Sequence, residues 1–272
     1  MSAAAASPWA SLQPKHETLA AKFIADTGAD GTGVVVAILD TGVDPAAAGL
    51  AVCPDGRPKV IDILDCTGSG DVDTSTVASS TALPIKGLSG RTLKLNPKWV
   101  NPSGEWRLGV KRAFELYPRG LAARVKEKRK KEWDDELHRQ ETALKRALDA
   151  AKAGNDADAA KDLEARCEHL SAFAGAREDP GPLYDAVVWH DGEEWCAALD
   201  TSETGDLSAA AAMRSYRVAR EYATLNSAFD NLTYCVTVCD GGDVLSICVD
   251  AGAHGTHVAG IVAAHHPDRP EQ

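Results

Sequence analysis

The sequence lacks long apolar runs, and it has no excess of basic residues. Its longest uninterrupted apolar run is Val34–Leu39, far short of the roughly 18 residues that a membrane-spanning helix requires. Residues 1–15 have neither the basic start nor the long apolar stretch of a signal peptide. The formal net charge of −11 argues against a general nucleic-acid or anionic-membrane binder, because such partners require a cationic surface. We therefore expect a cytoplasmic protein with no nucleic-acid or membrane partner.

Cysteine pairs in metal-binding or redox spacing are also absent. Seven cysteines are present, an odd number, and no two of them form a C-x-x-C motif. This pattern predicts neither a disulfide framework nor a zinc site, so we expect reduced, mostly buried thiols and no metal or other cofactor. The composition, 44% hydrophobic and 25% charged over 272 residues, is that of an ordinary globular chain in one large domain or two small ones.

Two apolar segments near the start indicate a parallel sheet. Val34–Leu39 follows Gly31 and Gly33 and has no polar alternation, which is typical of a strand buried on both faces and covered by helices. Val60–Leu64 is a second, shorter strand candidate, and residues 15–29 have the pattern of a short amphipathic helix. The predicted fold class is therefore α/β.

The middle of the chain has a helical composition. Residues 119–174 are rich in Ala, Leu, Lys, Arg and Glu, and their apolar spacing predicts two helices broken near Gly154. Within them, Arg124–Lys131 carries six cations in eight residues, a candidate nucleic-acid or targeting patch. Four acidic residues follow at 132–136. Opposite charges one turn apart favour a solvated helix face instead.

Two antiparallel hairpins are predicted after the helices. The first pairs residues 186–189 with 195–199 around an Asp-Gly turn. The second spans residues 232–249, and a symmetric turn at 240–243 makes paired positions sum to 483, so that Cys235 lies opposite Cys248. Their Cβ atoms would be about 4.5–5.5 Å apart, wider than the roughly 3.5–4.5 Å of a disulfide. We expect two free thiols in contact.

A carboxylate follows the first predicted strand directly. Asp40 stands in the segment Ala37–Asp44, and the carboxyl ends of parallel strands form the functional crevice of an open α/β sheet. An Asp-Thr-Gly turn also occurs where the carboxylate only accepts backbone N–H bonds. Aspartic proteases contain the same tripeptide, but they work through two such carboxylates that share a proton, and we expect no such pair here.

Two histidines open a segment of small residues near the end of the chain. His254 and His257 lie in Gly252–Gly260, where small side chains would let a helix approach the sheet closely and become deeply buried. Zinc peptidases of the H-E-x-x-H kind need four-residue spacing and an intervening Glu, and both are missing. By themselves, the residues leave a metal pair and a pair of buried core histidines as alternatives.

Together these two motifs resemble those of the subtilisin-like serine peptidases, or subtilases. The family's Asp motif matches Val36–Asp44, and its His motif matches His254–Gly260, in the family's order. The resemblance implies that His254 is the general base that accepts a serine proton, and that Asp40 orients the imidazole and stabilises the imidazolium. It also implies that His257 is noncatalytic and packs within the helix.

The acid and the base are 214 residues apart, whereas ordinary subtilases place them close together. We therefore predict a first part of the catalytic domain at 1–75, an insertion at 76–230 and a return to the catalytic domain at 231–272. The predicted architecture is an incomplete subtilisin-like parallel sheet with helices, interrupted by a large α+β insertion. Further phrases resemble a branch of the family with such an insertion: Val60–Asp65, Thr67–Val72, Gly87–Arg91, Asn101–Gly104, Asp179–Pro182 and Val188–Gly192.

That resemblance implies a cytosolic exopeptidase that removes tripeptides from the free N-termini of peptides and assembles into a large homo-oligomer. The family's nucleophile lies in a Gly-Thr-Ser-Met-Ala type motif, which has no match here, and its oxyanion Asn has none either. Ser69, Ser89 and Ser103 adjoin glycines but match no nucleophile context. We expect the N-terminal part of a peptidase, inactive by itself, with a noncatalytic assembly or interaction module as the alternative. Because the later strands of its sheet are missing, Val34–Leu39 should be exposed and the isolated chain poorly soluble or partly molten.

Overall fold

The strands of this protein form two packed antiparallel sheets. A computed structural model describes residues 17–79, 84–175, 178–225 and 232–268. The strands are β1 Asp71–Asp73, β2 Thr76–Ser79, β3 Ile85–Lys86, β4 Thr92–Leu93, β5 Glu105–Arg112, β6 Leu183–His190, β7 Trp195–Leu199, β8 Met213–Arg214, β9 Ala223–Leu225, β10 Leu232–Cys239 and β11 Val244–Val249. The helices are α1 Ala20–Thr27, α2 Ala113–Leu116, α3 Arg119–Ala153, α4 Ala157–Gly175, α5 Tyr216–Ala219 and α6 Ala253–Ala263.

The strand order separates the two sheets clearly. The first sheet has the order β1-β11-β10-β9 and the second has the order β2-β5-β6-β7-β8, while β3 and β4 pair with each other. Every ladder between these strands is antiparallel. The result is a mixed α/β fold in which β11, the strand that precedes α6, is paired on both sides.

The second sheet is buried on both of its faces. Along β6, Ala186 and Val188 belong to the core that also contains residues of the first sheet, while Val187 and Trp189 belong to a second cluster on the opposite face. Alternate residues of a strand point to opposite faces. β6 is therefore a strand that is buried on both faces.

The run Val34–Leu39, predicted as a doubly buried strand, has a different environment. It forms no ladder in the described ranges, and Val34, Val35, Val36 and Leu39 are 69%, 73%, 54% and 91% exposed. A strand buried on both faces needs paired neighbours and a cover on each face, and the described residues supply neither to this run. The predicted strand Val60–Leu64 is likewise unpaired, with Ile61 and Leu64 exposed. The described residues thus form no parallel sheet around this run, and its exposure agrees with the expectation for a sheet that lacks its later strands.

The hairpin of β10 and β11 has the register that symmetric pairing predicts, with Cys235 opposite Cys248. A turn of 3-10 helix at Asp240–Gly242 closes it, and both Gly241 and Gly242 have positive φ. A Cβ on Gly242 would lie 2.4 Å from the Trp195 ring. Only glycine therefore allows this turn to pack against the second sheet.

The two predicted helices form a long antiparallel arm. α3 has 35 residues, about 52 Å of helix, and the break before α4 falls at residues 154–156 as predicted. Leu121 and Val125 are buried at the base of α3, where Arg129 also binds Asp179 through two nitrogens. In the same stretch, Lys128 pairs with Glu132 one turn later. The basic stretch is a solvated, ion-paired helix face.

The expectation of mostly buried thiols is wrong, because only Cys196 and Cys235 of the seven cysteines are buried, whereas Cys66 and Cys239 are exposed. The first helix is α1, within the predicted range 15–29. Residues 1–15, where no signal peptide is predicted, lie outside the described residues. None of the described helices has the length and apolar content needed to cross a bilayer.

The exposed apolar run predicts dye binding and poor solubility of the isolated chain. We expect the folded chain to bind the dye 8-anilinonaphthalene-1-sulfonate and to raise its fluorescence. The double change Val34→Lys/Val35→Lys should reduce that fluorescence without lowering the urea midpoint of unfolding. The matched control is Val77→Lys, a half-exposed valine on β2, which should leave the dye signal high. A soluble monomer that binds no dye would contradict the exposed surface.

Candidate active site

Two segments that are 214 residues apart meet at the candidate site. Asp40 lies directly after the exposed run, and His254 is the second residue of α6. Their side chains are in contact, with 2.6 Å between Asp40 Oδ2 and His254 Nδ1. The structure thus brings together both residues that the sequence singles out.

Asp40 is oriented by the residue that follows it. Its Oδ1 accepts a hydrogen bond from the Thr41 backbone N–H at 2.7 Å and lies 3.2 Å from Thr41 Oγ1. The Thr41 backbone N–H, together with the hydrogen bond and charge of His254, holds the pKa of the Asp40 carboxyl below its usual value, against the opposing effect of desolvation. Asp40 is therefore ionised at neutral pH, and the attraction to His254 is lost as pH falls through that lowered pKa.

The ionised carboxylate determines which nitrogen of His254 carries hydrogen. A carboxylate only accepts hydrogen bonds, so Nδ1 must donate to Asp40 Oδ2. In the neutral imidazole, Nε2 then keeps its lone pair. The arrangement can accept a proton at Nε2 and stabilise the resulting imidazolium through Asp40.

Glycines allow the two segments to approach closely. A Cβ on Gly255 would lie 2.2 Å from the Gly42 carbonyl oxygen and 3.1 Å from Asp40 Cβ. Gly42 has φ of +109°, and a Cβ there would lie 2.9 Å from the Val249 carbonyl oxygen. The start of α6 therefore lies directly on the backbone of the Asp40 loop.

Further hydrogen bonds fasten α6 to this loop. The Asp44 N–H donates to Thr256 Oγ1 at 2.9 Å, and the Ala251 N–H donates to the Thr41 carbonyl at 3.0 Å. Thr41 Oγ1 also lies 2.9 Å from the Gly252 carbonyl oxygen. Sequence reasoning missed the two threonines as positioning residues, although each stands within two residues of the acid or the base.

The site is open, and α6 is buried on one side. The His254 side chain is 73% exposed and that of Asp40 is 16% exposed. Gly255 and Ala259 are buried, whereas Ile261 and Val262 are exposed. The predicted deep burial of this helix is therefore wrong for its outer face, which no described element covers.

His257 is exposed, so the expectation that it packs within the helix is also wrong. It lies on α6 three residues after His254. In the described residues, no group of three or more His, Cys, Asp or Glu side chains has an arrangement suited to holding a metal ion. His254 contacts Asp40 through Nδ1.

A second Asp-Thr-Gly tripeptide is present in the chain, at residues 26–28. Asp26 lies near the end of α1 and pairs with Lys22, one turn earlier. The partner of Asp40 is His254. The described contacts therefore show an acid and a base, and they do not show the two facing carboxylates of an aspartic protease.

The three serines beside glycines have partners within the structure. Ser69 Oγ contacts Thr67, and Ser103 Oγ donates to Asn101, each within its own loop. Ser89 Oγ donates to the buried Asp185 carboxylate on β6 and so fastens its loop to the second sheet. These bonds agree with the absence of a nucleophile motif around the three serines.

The close backbone contact predicts unequal effects of two glycine substitutions on α6. Gly255→Ala should push α6 from the Asp40 loop, lower the free energy of unfolding by about 1–3 kcal/mol and expose the Asp44 N–H to exchange. The control is Gly260→Ala, whose Cβ meets nothing within 4 Å. It should keep that protection and gain about 0.5–1 kcal/mol from helix propensity. Equal exchange of Asp44 in the two variants would contradict the contact.

Comparisons with known proteins bear on this geometry. The family model Peptidase_S8, Subtilase family, matches residues 31–271. Tripeptidyl-peptidase 2 of Arabidopsis thaliana is 45% identical over 274 residues, which cover 95% of this chain and 20% of that protein. The protein of the same name from Caenorhabditis elegans is 38% identical over 252 residues, covering 89% and 18%. Pyrolysin of Pyrococcus furiosus is 31% identical over 277 residues, covering 94% and 17%.

A solved structure is also similar. The crystal structure of tripeptidyl peptidase 2 (TPP II) superposes with a TM-score of 0.63 at 25% identity, covering 92% of this chain and 20% of that one. This chain therefore spans about a fifth of the length of the relatives that it matches. With both motifs matched and the acid and base in contact, the chain belongs to the subtilase family of serine peptidases.

Proposed function

We propose that this chain supplies the acid and the base of a tripeptidyl-peptidase II type serine exopeptidase. The observation that carries the proposal is the 2.6 Å contact between Asp40 Oδ2 and His254 Nδ1, made within the two motifs of the family. The sequence contains no Gly-Thr-Ser segment. The nucleophile and the oxyanion donor then come from a part of the protein that this chain does not span.

The proposed reaction uses the geometry of the pair directly. His254 Nε2 takes the proton of a serine hydroxyl as its oxygen attacks the substrate carbonyl, and Asp40 stabilises the imidazolium that forms. His254 returns that proton to the leaving amine, which leaves an acyl-enzyme. Water then attacks the ester in the same way, with His254 again as the base. The orientation of Asp40 by Thr41 keeps Nδ1 protonated throughout.

Substrate, assembly and compartment are proposals for this chain. The relatives with the highest identity reported above are named tripeptidyl-peptidase 2, which supports the proposed release of tripeptides from peptides. From the resemblance of the sequence motifs we also propose action at free N-termini, a homo-oligomer and a cytoplasmic compartment. We also propose the division into 1–75, 76–230 and 231–272. In its support, the hairpin of β10 and β11 leads into α6 within four residues.

The first test asks whether this chain by itself has a reactive nucleophile or peptidase activity. Without a nucleophile the pair forms no acyl-enzyme, so the purified 272-residue chain should neither react with a fluorophosphonate probe nor cleave a tripeptidyl amide. Stoichiometric labelling would place a reactive serine within this chain and would overturn the proposal. Labelling is read by intact mass.

The second test uses the complete protein. There, Asp40→Asn or His254→Ala should lower kcat by about 10⁴-fold with little change in KM, because both residues act mainly in the transition state. His257→Ala is the matched control, an exposed histidine on the same helix, and it should change kcat only a few-fold. A variant at Asp40 or His254 that keeps most of its kcat would remove that residue from the mechanism.

The alternative is a noncatalytic module that acts in assembly or interaction through the helical arm. The observation in its favour is the length of α3, 35 residues with burial only near its base among the described side chains. The coding sequence after Gln272 distinguishes between the two proposed functions. A continuation into a Gly-Thr-Ser segment supports the peptidase, and a stop codon there supports the module.

A further inference from the structure

Cys235 and Cys248 form a pair of facing thiols close to the candidate active site. They occupy directly opposed positions on β10 and β11, and both are free thiols. Cys235 is buried and Cys248 is half-buried. Cys248 stands six residues before His254 on the strand that leads into α6.

The register places their backbones at a distance that a disulfide can span. The Asp250 N–H donates to the Thr233 carbonyl across the same ladder, and hydrogen-bonded pairs recur at every second position of an antiparallel ladder. Cys235 and Cys248 are therefore a hydrogen-bonded pair, with Cα atoms about 5.5 Å apart, inside the roughly 4.4–6.8 Å of disulfides. Their Cβ atoms must approach by about 1 Å to form the bond.

The two thiols are not equivalent. Cys248 is half-buried and Cys235 is buried, so an oxidant from solution meets Cys248 first. The hydrogen bond between the two sulfurs lowers the pKa of Cys248, against the effects of burial and of the Asp65 and Asp250 charges, and raises the pKa of Cys235. Since the thiolate is the nucleophile, Cys248 is the sulfur that reacts first and Cys235 is the one that resolves the product.

The space beside the pair restricts the oxidant. A pocket of about 10 Å³ touches both cysteines and is lined by Val43, Pro45 and Ile63. That volume has room for about one water molecule. A small hydroperoxide can approach the two sulfurs through this pocket, whereas a bulky disulfide such as oxidised glutathione has less access to them.

We propose that Cys235 and Cys248 are a peroxide-sensitive dithiol that closes to a cross-strand disulfide. The Cys248 thiolate attacks one oxygen of hydrogen peroxide, the O–O bond breaks, and a Cys248 sulfenic acid and hydroxide form. The hydroxide takes the Cys235 thiol proton to give water. The Cys235 thiolate then attacks the Cys248 sulfur and expels the second hydroxide. Two thiols are oxidised and one peroxide is reduced.

Formation of this disulfide would displace the end of β11, which contacts the Asp40 loop. The Val249 carbonyl packs against Gly42, and the Ala251 N–H donates to the Thr41 carbonyl. A shift of about 1 Å at Cys248 is the size of misplacement that costs an active site about 100-fold in rate. Oxidation therefore loosens the contact between the Asp40 loop and α6.

The test treats the reduced chain with hydrogen peroxide and maps disulfides after cleavage before aspartates. Cleavage at Asp240 and Asp243 separates Cys235 from Cys248, so a bond between them joins two peptides in the mass spectrum. Cys239 shares a peptide with Cys235, so the mapping uses the Cys239→Ser chain. We expect the linked pair there, and none in Cys239→Ser/Cys248→Ser.

Two results would overturn the dithiol: sulfinic acid on Cys248 without the link, or oxidation confined to the exposed Cys66. Oxidised glutathione at the same oxidising equivalents is the comparison, and equal linking by it would contradict the role of the cavity. Amide exchange of Ala251, followed by NMR, reports the effect on the site. It should rise about tenfold or more on oxidation and stay constant in Cys235→Ala. Unchanged exchange in a fully linked chain would overturn the coupling to Asp40.

Discussion

The backbone contact between Gly255 and Gly42 is the constraint on which the candidate site depends. With 2.2 Å between the Gly42 carbonyl oxygen and the position of a Cβ on Gly255, any side chain there would move α6 outward. The 2.6 Å bond between Asp40 and His254 would then lengthen. The hydrogen bonds of Thr41 and Thr256 refine an approach that the missing side chains make possible. The absence of side chains at Gly255 and Gly42 is therefore a precondition for the electrostatic contact between Asp40 and His254.

The segment between the acid and the base contributes to the site through β11. This strand is paired with β1 on one side and β10 on the other, and Leu245 and Ile247 are buried in the core between the two sheets. A doubly paired, buried strand has few alternative positions. Because α6 begins four residues after β11 ends, the core of the two sheets determines where His254 lies. A separation of 214 residues between the acid and the base is thus compatible with an accurately placed base.

The sequence predicted the local features, but it misjudged several environments. Asp40, His254, the arm and the register of Cys235 depend on motifs, periodicity and turn symmetry, which are local signals. Burial of a continuous apolar run depends on what packs against it, which no local pattern contains. Val34–Leu39 and the apolar stretch in β6 look alike in sequence, yet the first is exposed and the second is buried on both faces. The sequence identifies Gly255 as one of several small residues on the predicted helix, but its close contact with Gly42 depends on the fold.

The positions of the exposed apolar residues connect stability with the proposed function. Leu39 immediately precedes Asp40, and Ile261 lies on the outer face of the helix that carries His254. The acid and the base are therefore bound to each other by contacts within this chain, while the surface beside each remains uncovered by the described residues. Burying apolar surface is the main favourable term in association. In the proposed peptidase, the part that covers this surface would by the same contact bring a serine hydroxyl towards Nε2 of His254. Docking would then complete the active site in the same step, because burial of apolar surface drives it and the Asp40–His254 pair is already oriented.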